Sequence, residues 1–141
     1  MTKYSIETMT ESHCSAVLRL WEATDGVSLT DADTAAGLIA YFERNPAMSH
    51  VATRRDTIVG AVLCGHDGRR GYLHHLAVEK HHRNQGIGRK LVHACLGKLK
   101  SVGIKRCNLF IFDENSEARR FWTSDDWFEW SEIRLFQKEL T

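Results

Sequence analysis

The segment from Arg83 to Gly88 places a basic side chain and two glycines between a predicted strand and a predicted helix. The first N–H groups of a helix lack partners within the helix, and its aligned peptide dipoles put partial positive charge there. Gly86 and Gly88 have no side chain to keep a ligand away from the backbone. These features predict a phosphate-binding turn. Its spacing, Arg-x-x-Gly-x-Gly, differs from both the P-loop and the dinucleotide-binding turn.

A second set of reactive side chains lies on the strand predicted just before this turn, at Gly71–Val78. Because side chains alternate along a strand, Tyr72 and His74 are predicted to share one face and His75 the opposite, helix-packed face. Histidine titrates close to neutral pH, so it is the natural general base in this set. We expect no metal site, since no cysteine lies near these histidines in sequence.

The composition is typical of a globular domain without a strong charge bias. The length of 141 residues predicts one domain over residues 1–141. A net charge of +1 argues against nucleic-acid and membrane partners, and no apolar run reaches the roughly 20 residues that span a bilayer. The four cysteines are widely spaced, which predicts reduced thiols. With no signal peptide before Tyr4, the expected location is cytoplasmic.

The hydrophobic periodicity predicts elements in the order βααβββαβαβ, with a C-terminal segment able to form two strands. The predicted strands are Tyr4–Met9, His50–Thr53, Thr57–Cys64, Gly71–Val78, Arg106–Phe112 and Ile133–Phe136. Helices are predicted after Thr10, after Asp31 or Asp33, after Gly88 and at Ser116–Trp122. Asn45-Pro46 and Gly103 are predicted to end the second and third helices.

Two local patterns identify a family resemblance. One is the glycine turn, and the other is the run from Asn115 to Trp122, which resembles the pattern Asn-x-x-Ala-x-x-Phe-Tyr. Together with the element order, they resemble the GCN5-related N-acetyltransferase (GNAT) superfamily over almost the whole chain. The resemblance implies an α/β (α+β) fold. In it, a central mixed, largely antiparallel sheet of six to seven strands is flanked by about four helices.

The resemblance also implies where the co-substrate acetyl-CoA would bind, with no metal. The end of the strand would pair with the pantetheine arm through its backbone, and the turn would receive the pyrophosphate. Nearby basic side chains suit the outer phosphates, although they can equally be solvated surface charges, and an asparagine amide suits the pantetheine. The implied cofactor-binding residues are Leu76, Ala77, Val78, Arg83, Asn84, Gln85, Gly86, Ile87, Gly88, Arg89, Lys90, Asn115 and Trp122. Asn115 can also cap the helix that follows it.

The implied reaction is acetyl transfer to an amine. An amine like that of lysine has a pKa of about 10.4, so a base must remove a proton before the amine can attack. His74 and Tyr72 lie where the serotonin N-acetyltransferase branch of the family has histidines. The expected catalytic residues are therefore His74, as base or water relay, and Tyr72. The alternative for His74 is a hydrogen-bonded histidine packed between sheet and helix.

Two positions depart from the family pattern. Trp122 stands where many members have a tyrosine that acts as general acid toward the departing thiolate, and an indole N–H does not ionise usefully. Phe110 stands where ribosomal-protein N-terminal acetyltransferases of the family have a glutamate base. The second departure argues against protein N-terminal acetylation by that mechanism.

The acceptor side of the site is less defined. The segment from Trp21 to Asp33 is expected to wall the acceptor pocket. Its acidic residues can either attract a cationic amine or cap helices: Glu22, Asp25, Asp31 and Asp33. The expected function is an acetyl-CoA-dependent N-acetyltransferase that acetylates an amine of a small molecule or peptide by direct attack in a ternary complex. The alternative is a CoA-binding sensor or accessory protein with little catalysis. A final strand can pair across a two-fold axis, so a homodimer is compatible with the sequence.

Overall fold

The computed structural model describes residues 3–140, and the chain divides after Phe110 into two compact units. The strands, all in the first unit, are β1 (Ser5–Thr8), β2 (His50–Arg54), β3 (Thr57–His66), β4 (Gly71–Val78) and β5 (Cys107–Leu109). The helices of the first unit are α1 (Cys14–Glu22), α2 (Ala35–Arg44) and α3 (Ile87–Ser101). The second unit contains α4 (Ser116–Thr123). Short 3-10 helices occupy Glu11–His13 and Lys80–His82.

The strands form one sheet in the order β1-β2-β3-β4-β5. Neighbours from β1 to β4 pair antiparallel, whereas β5 runs parallel to β4. The hairpin between β2 and β3 turns through Arg55 and Asp56, both with positive φ, which suits the right-handed twist of the strands that it joins. This mixed, largely antiparallel sheet with four α-helices confirms the predicted fold class.

The sheet contains five strands, which corrects the predicted count of six to seven. Only Cys107–Leu109 of the predicted strand Arg106–Phe112 pairs with a neighbour. The predicted strand Ile133–Phe136 is absent from the described residues, and Phe136 there is 91% exposed. Alternating side chains suit a strand, but a strand also needs a sheet edge to pair with, which a local pattern cannot reveal.

A β-bulge interrupts β4 at His75. Ala61 of β3 lies opposite Ala77, but Leu63, two residues further along β3, lies opposite His74, three residues back along β4. The extra residue is His75, whose φ of +57° is in the left-handed region. The strand therefore changes phase at this point.

The bulge overturns the prediction that His74 and His75 lie on opposite faces. His74 is the direct partner of Leu63, so the two share a face of the sheet, and Leu63 packs in the core beneath α1 and α2. His75 contacts Trp21 of α1. Both imidazoles therefore lie on the α1–α2 side, with ring centroids 6.4 Å apart.

Helices cover both faces of the sheet. On one face, α1 and α2 pack over a buried cluster of Met9, Cys14, Val17, Trp21, Leu38, Val51, Ala61, Leu63 and Ala77. On the other face α3 lies close to β3, since a Cβ on Gly60 would be 3.0 Å from a methyl carbon of Leu91. Cys14, Cys64 and Cys95 are buried and all four cysteines are free thiols, as predicted. Within residues 3–140, no helix is both long and apolar enough to cross a membrane.

The helix starts differ from the predictions at three places. A 3-10 helix, Glu11–His13, follows Thr10, so α1 begins only at Cys14. Thr34 caps α2, with its Oγ1 accepting a hydrogen bond from the Gly37 N–H at 3.0 Å, so neither Asp31 nor Asp33 has the predicted capping role. The third helix begins at Ile87, before Gly88. Gly103 follows α3 with a φ of +85°, the left-handed conformation that commonly ends a helix.

Candidate active site

The predicted phosphate-binding turn connects β4 to α3. Asn84 and Gly86 have φ angles of +62° and +78°, and Gly86 is the N-cap of α3. A Cβ built on Gly86 meets no atom within 4 Å, so the space beside this helix start is open. The Ile87 side chain is 2% exposed, so this residue can offer a ligand only its backbone.

Basic side chains surround this helix start. Arg89 and Lys90 are exposed, and the first turn of α3 contains no acidic residue to offset the positive end of the dipole. Arg83 Nε donates a hydrogen bond to the Val78 carbonyl at 2.9 Å. The arginine thus ties the turn to the end of β4.

A network of side chains joins the turn to the start of the chain. The Tyr4 hydroxyl donates to Gln85 Oε1 at 3.2 Å and lies 2.9 Å from His82 Nδ1. His82 Nε2 lies 3.7 Å from a carboxylate oxygen of Glu79, which also accepts from the His81 N–H. His82 is thus partly buried and bridges Tyr4 and Glu79.

The edge of β4 is open where the turn begins. Parallel pairing with β5 covers only Gly71–Leu73, and on that side of β4 no described strand pairs with the residues beyond Leu73. The strand edge through Leu76, Ala77 and Val78 is therefore available for an extended ligand, which would form main-chain hydrogen bonds as an added strand does. This edge leads directly to the glycine turn.

Aromatic rings stand in a row beside this open edge, on the α1–α2 side of the sheet. The Tyr72 ring stacks between those of His74 and Phe110, with centroids 6.3 and 6.4 Å away. Phe110 is 56% exposed, so this end of the row faces solvent. The structure thus brings the two predicted catalytic residues, His74 and Tyr72, into contact.

The His75 ring lies next to that of His74 and extends the row to an acidic partner, Asp33. His75 Nε2 lies 3.1 and 3.2 Å from the two carboxylate oxygens of Asp33. The Asp33 side chain is only 6% exposed, and it also accepts from the Thr30 N–H at 2.8 Å. Trp21, which is fully buried, contacts the His75 ring edge-on at 5.1 Å.

The surroundings of His74 favour its neutral form. Burial lowers the pKa of His74 below the ordinary value of 6.5, the nearby His75 lowers this pKa further, and Asp33 partly opposes both. A neutral imidazole can accept a proton, so this environment suits a general base.

Asn115 and Trp122, the last two implied cofactor residues, belong to the second unit. Asn115 Oδ1 accepts a hydrogen bond from the Ala118 N–H at 3.0 Å, which makes Asn115 the N-cap of α4. Trp122 is buried and contacts Phe121 and Trp127 edge-on. The roles of both residues toward acetyl-CoA stay predictions.

The acidic residues of the expected acceptor wall differ in their surroundings. Glu22, Asp25 and Asp31 are exposed, and only Asp33 reaches the row of rings. The pair of Asp33 and His75 was not predicted, because the bulge that turns His75 toward α1 has no glycine to mark it. Within residues 3–140, no three His, Cys, Asp or Glu side chains are grouped as metal ligands.

The comparisons with known proteins agree with this architecture. The profile described as "Acetyltransferase (GNAT) family" matches residues 14–124. The chain therefore belongs to the GNAT family, a class of N-acetyltransferases.

Particular relatives share parts of the sequence. N-alpha-acetyltransferase 30 of Schizosaccharomyces pombe is 37% identical over 82 residues, which is 55% of this chain and 55% of that protein. The chain thus spans about half the length of that relative. An acetyltransferase of Pectobacterium atrosepticum is 30% identical over 100 residues, covering 71% of this chain and 70% of that protein.

Solved structures share the fold. The aminoglycoside N-acetyltransferase AAC(6')-Iy, solved in complex with CoA, is 14% identical with a TM-score of 0.74, covering 99% of this chain and 97% of that chain. The same protein with the bisubstrate analog CoA-S-monomethyl-acetylneamine has a TM-score of 0.75, at 18% identity and 99% and 100% coverage.

Proposed function

We propose that this protein transfers the acetyl group of acetyl-CoA to an amine of a small molecule or peptide, by direct attack in a ternary complex. The observation that carries the proposal is the open edge of β4, which leads into the glycine turn at the start of α3. Acetyl-CoA has an extended arm that leads to phosphate groups. The arm matches the open strand edge, and the phosphates match the glycine turn.

The chain offers a separate group to each part of the coenzyme. The backbone of Leu76–Val78 is expected to pair with the pantetheine arm, and the backbone N–H groups of the turn to bind the pyrophosphate. Arg83, Arg89 and Lys90 are expected to meet the outer phosphates. The roles of Asn115 and Trp122 toward acetyl-CoA stay predictions that rest on the family resemblance.

His74 is the proposed base for the acceptor amine, with Tyr72 stacked beside it. Because the pKa of His74 is lowered, its imidazole is neutral at pH 7 and can take a proton from the amine directly or through water. The amine then attacks the thioester carbonyl, the C–N bond forms and the C–S bond breaks. Backbone N–H groups near Val78 are expected to polarise that carbonyl.

The acceptor class rests on the relatives and on charge. An N-alpha-acetyltransferase and an aminoglycoside N-acetyltransferase resemble this chain, which supports both peptide and small-molecule amines as candidates. The ring row ends in Phe110 rather than a carboxylate, which disfavours the mechanism of the ribosomal-protein enzymes. The near-neutral charge gives no support to nucleic-acid or membrane partners, and we propose a cytoplasmic enzyme that can form a homodimer.

Thermal unfolding with and without acetyl-CoA tests the coenzyme site. Acetyl-CoA at 100 times its dissociation constant should stabilise the folded state by about 2.7 kcal/mol, and Gly86→Glu should abolish this gain by placing a negative charge where phosphate binds. Gly97→Glu is the matched control, because Gly97 is exposed on the same helix and a Cβ there meets no atom within 4 Å. If neither acetyl-CoA nor CoA stabilises the wild-type protein, the proposal fails.

Thiol release then separates the enzyme from the alternative function. Trp122, at the position of the family's usual general acid, is the observation that favours a CoA-binding sensor with little catalysis. Neamine and peptides with a free N-terminus are the first acceptors to try. Amine-dependent release of CoA supports the transferase, whereas tight binding without release from a broad set of amines supports the sensor.

A further inference from the structure

We propose that His75, held by Asp33, is a second proton acceptor for the acceptor amine, acting beside His74. This role rests on the proposed acetyltransferase function. It is carried by the position of the Asp33–His75 pair in the ring row next to the open edge of β4.

The contact with Asp33 selects one protonation pattern of the His75 ring. An ionised carboxylate only accepts hydrogen bonds, so the Nε2 atom that faces both Asp33 oxygens must carry a proton. In neutral His75, Nδ1 is then the unprotonated nitrogen and the one that can take a proton.

The pair is held rigidly enough to keep this orientation. The Thr30 N–H fixes the Asp33 carboxylate from one side, and the edge of Trp21 packs against the His75 ring. At 20% exposure the His75 side chain still reaches solvent, whereas Asp33 scarcely does. The carboxylate is thus placed to orient the imidazole rather than to meet the amine itself.

The acceptor amine gives up two protons in the proposed reaction, and two proton acceptors on the acceptor side can share them. An ammonium group loses one proton before attack and a second after the C–N bond forms, and one of the two is returned to the coenzyme thiolate as the C–S bond breaks. His74 and His75 lie 6.4 Å apart by ring centroid on the same face of the sheet. His75 can therefore take one of the two protons while His74 takes the other.

The charged and titratable groups around His75 come from two elements in the described part of the chain. The segment before α2 contributes Asp33, and β4 contributes His74. Its neighbour on α1, Trp21, does not titrate. Substitution of Asp33 should therefore have the most direct effect on which nitrogen of the His75 ring carries the proton.

The first test reads the His75 ring without any acceptor. In ¹⁵N-histidine NMR of the full chain at a pH where the ring is neutral, we expect His75 to carry its proton on Nε2 only. Asp33→Asn should lose this single form, because an amide can donate as well as accept. A wild-type ring protonated on Nδ1, or an even mixture of the two forms, overturns the proposal.

The second test measures the rate. His75→Gln should lower kcat roughly 100-fold, the lower range for loss of a general base, while KM for acetyl-CoA stays unchanged. The acceptor is neamine or the peptide, whichever releases thiol, and His93→Gln is the control because His93 is exposed on α3. A folded His75→Gln protein with the wild-type kcat overturns this role alone. A wild-type protein that transfers acetyl to no amine overturns the proposed function as well.

Discussion

The residues proposed for chemistry act on each other over short distances. His74, stacked on Tyr72, is buried enough to favour its neutral form, and its neighbour His75 is held by a carboxylate. Histidine and tyrosine on this strand were predictable from sequence by their types and alternation. The partnership of His75 with Asp33 was not, because 42 residues separate the two in the chain.

The pKa of His74 provides a test, because two substitutions should shift it in opposite directions. The pKa of His74 should lie below 6.5, His75→Gln should raise it, and Asp33→Asn should lower it, since His75 lowers this pKa and Asp33 raises it. Because the unfolded chain binds this proton more readily, His74 should also reduce the free energy of unfolding as the pH falls below 6.5. Imidazole NMR across pH measures the midpoint. Shifts of the same sign in both variants would contradict this account.

At the scale of elements, the coenzyme site depends on where β4 stops pairing and where α3 begins. The turn between them was predictable, since glycine, basic residues and a following amphipathic helix are local signals. The bulge and the short β5 were not, because pairing partners decide register and strand length. The short β5 leaves the edge of β4 open beyond Leu73, and the bulge puts His74 and His75 on the same face of the sheet.

The network around Tyr4 predicts a role for the first strand region in coenzyme affinity. Tyr4→Phe keeps the ring that packs on His82 but removes the hydroxyl that meets both His82 and Gln85. We expect the Kd for CoA to rise roughly fivefold, equivalent to about 1 kcal/mol for one hydrogen bond, because the turn is held less firmly. Isothermal titration calorimetry measures this change.

A coenzyme fragment supplies the control for Tyr4→Phe. S-acetylpantetheine lacks the pyrophosphate, so its affinity should be the same for the wild-type and variant proteins. Equal CoA affinity of the two proteins would show that the network does not position the turn. Equal losses for CoA and the fragment would point to a general defect instead.

At the scale of the whole molecule, the chain contains a large first unit and a small second one. The second unit contains one eight-residue helix, followed by a segment with exposed apolar side chains such as Phe128 and Phe136. Fewer than about 40 residues rarely fold alone without disulfides or metals. We therefore keep the proposal of a single domain over residues 1–141.

Calorimetry tests the single-domain proposal. The full chain should unfold in one transition whose calorimetric and van't Hoff enthalpies agree, because the second unit cannot be stable alone. A synthetic peptide of residues 111–141 should show no cooperative melting by circular dichroism. Two separate transitions of the full chain would contradict the prediction.

The sequence by itself determined the family, the element order and the glycine turn, because these depend on local periodicity, on residue types and on spacing along the chain. Only the tertiary structure decided the phase of β4 after His75, the pairing of His75 with Asp33 and the length of the open strand edge. Each of these depends on contacts between segments far apart in sequence. A local pattern specifies which side chains a segment contains, whereas packing and strand pairing decide what those side chains meet.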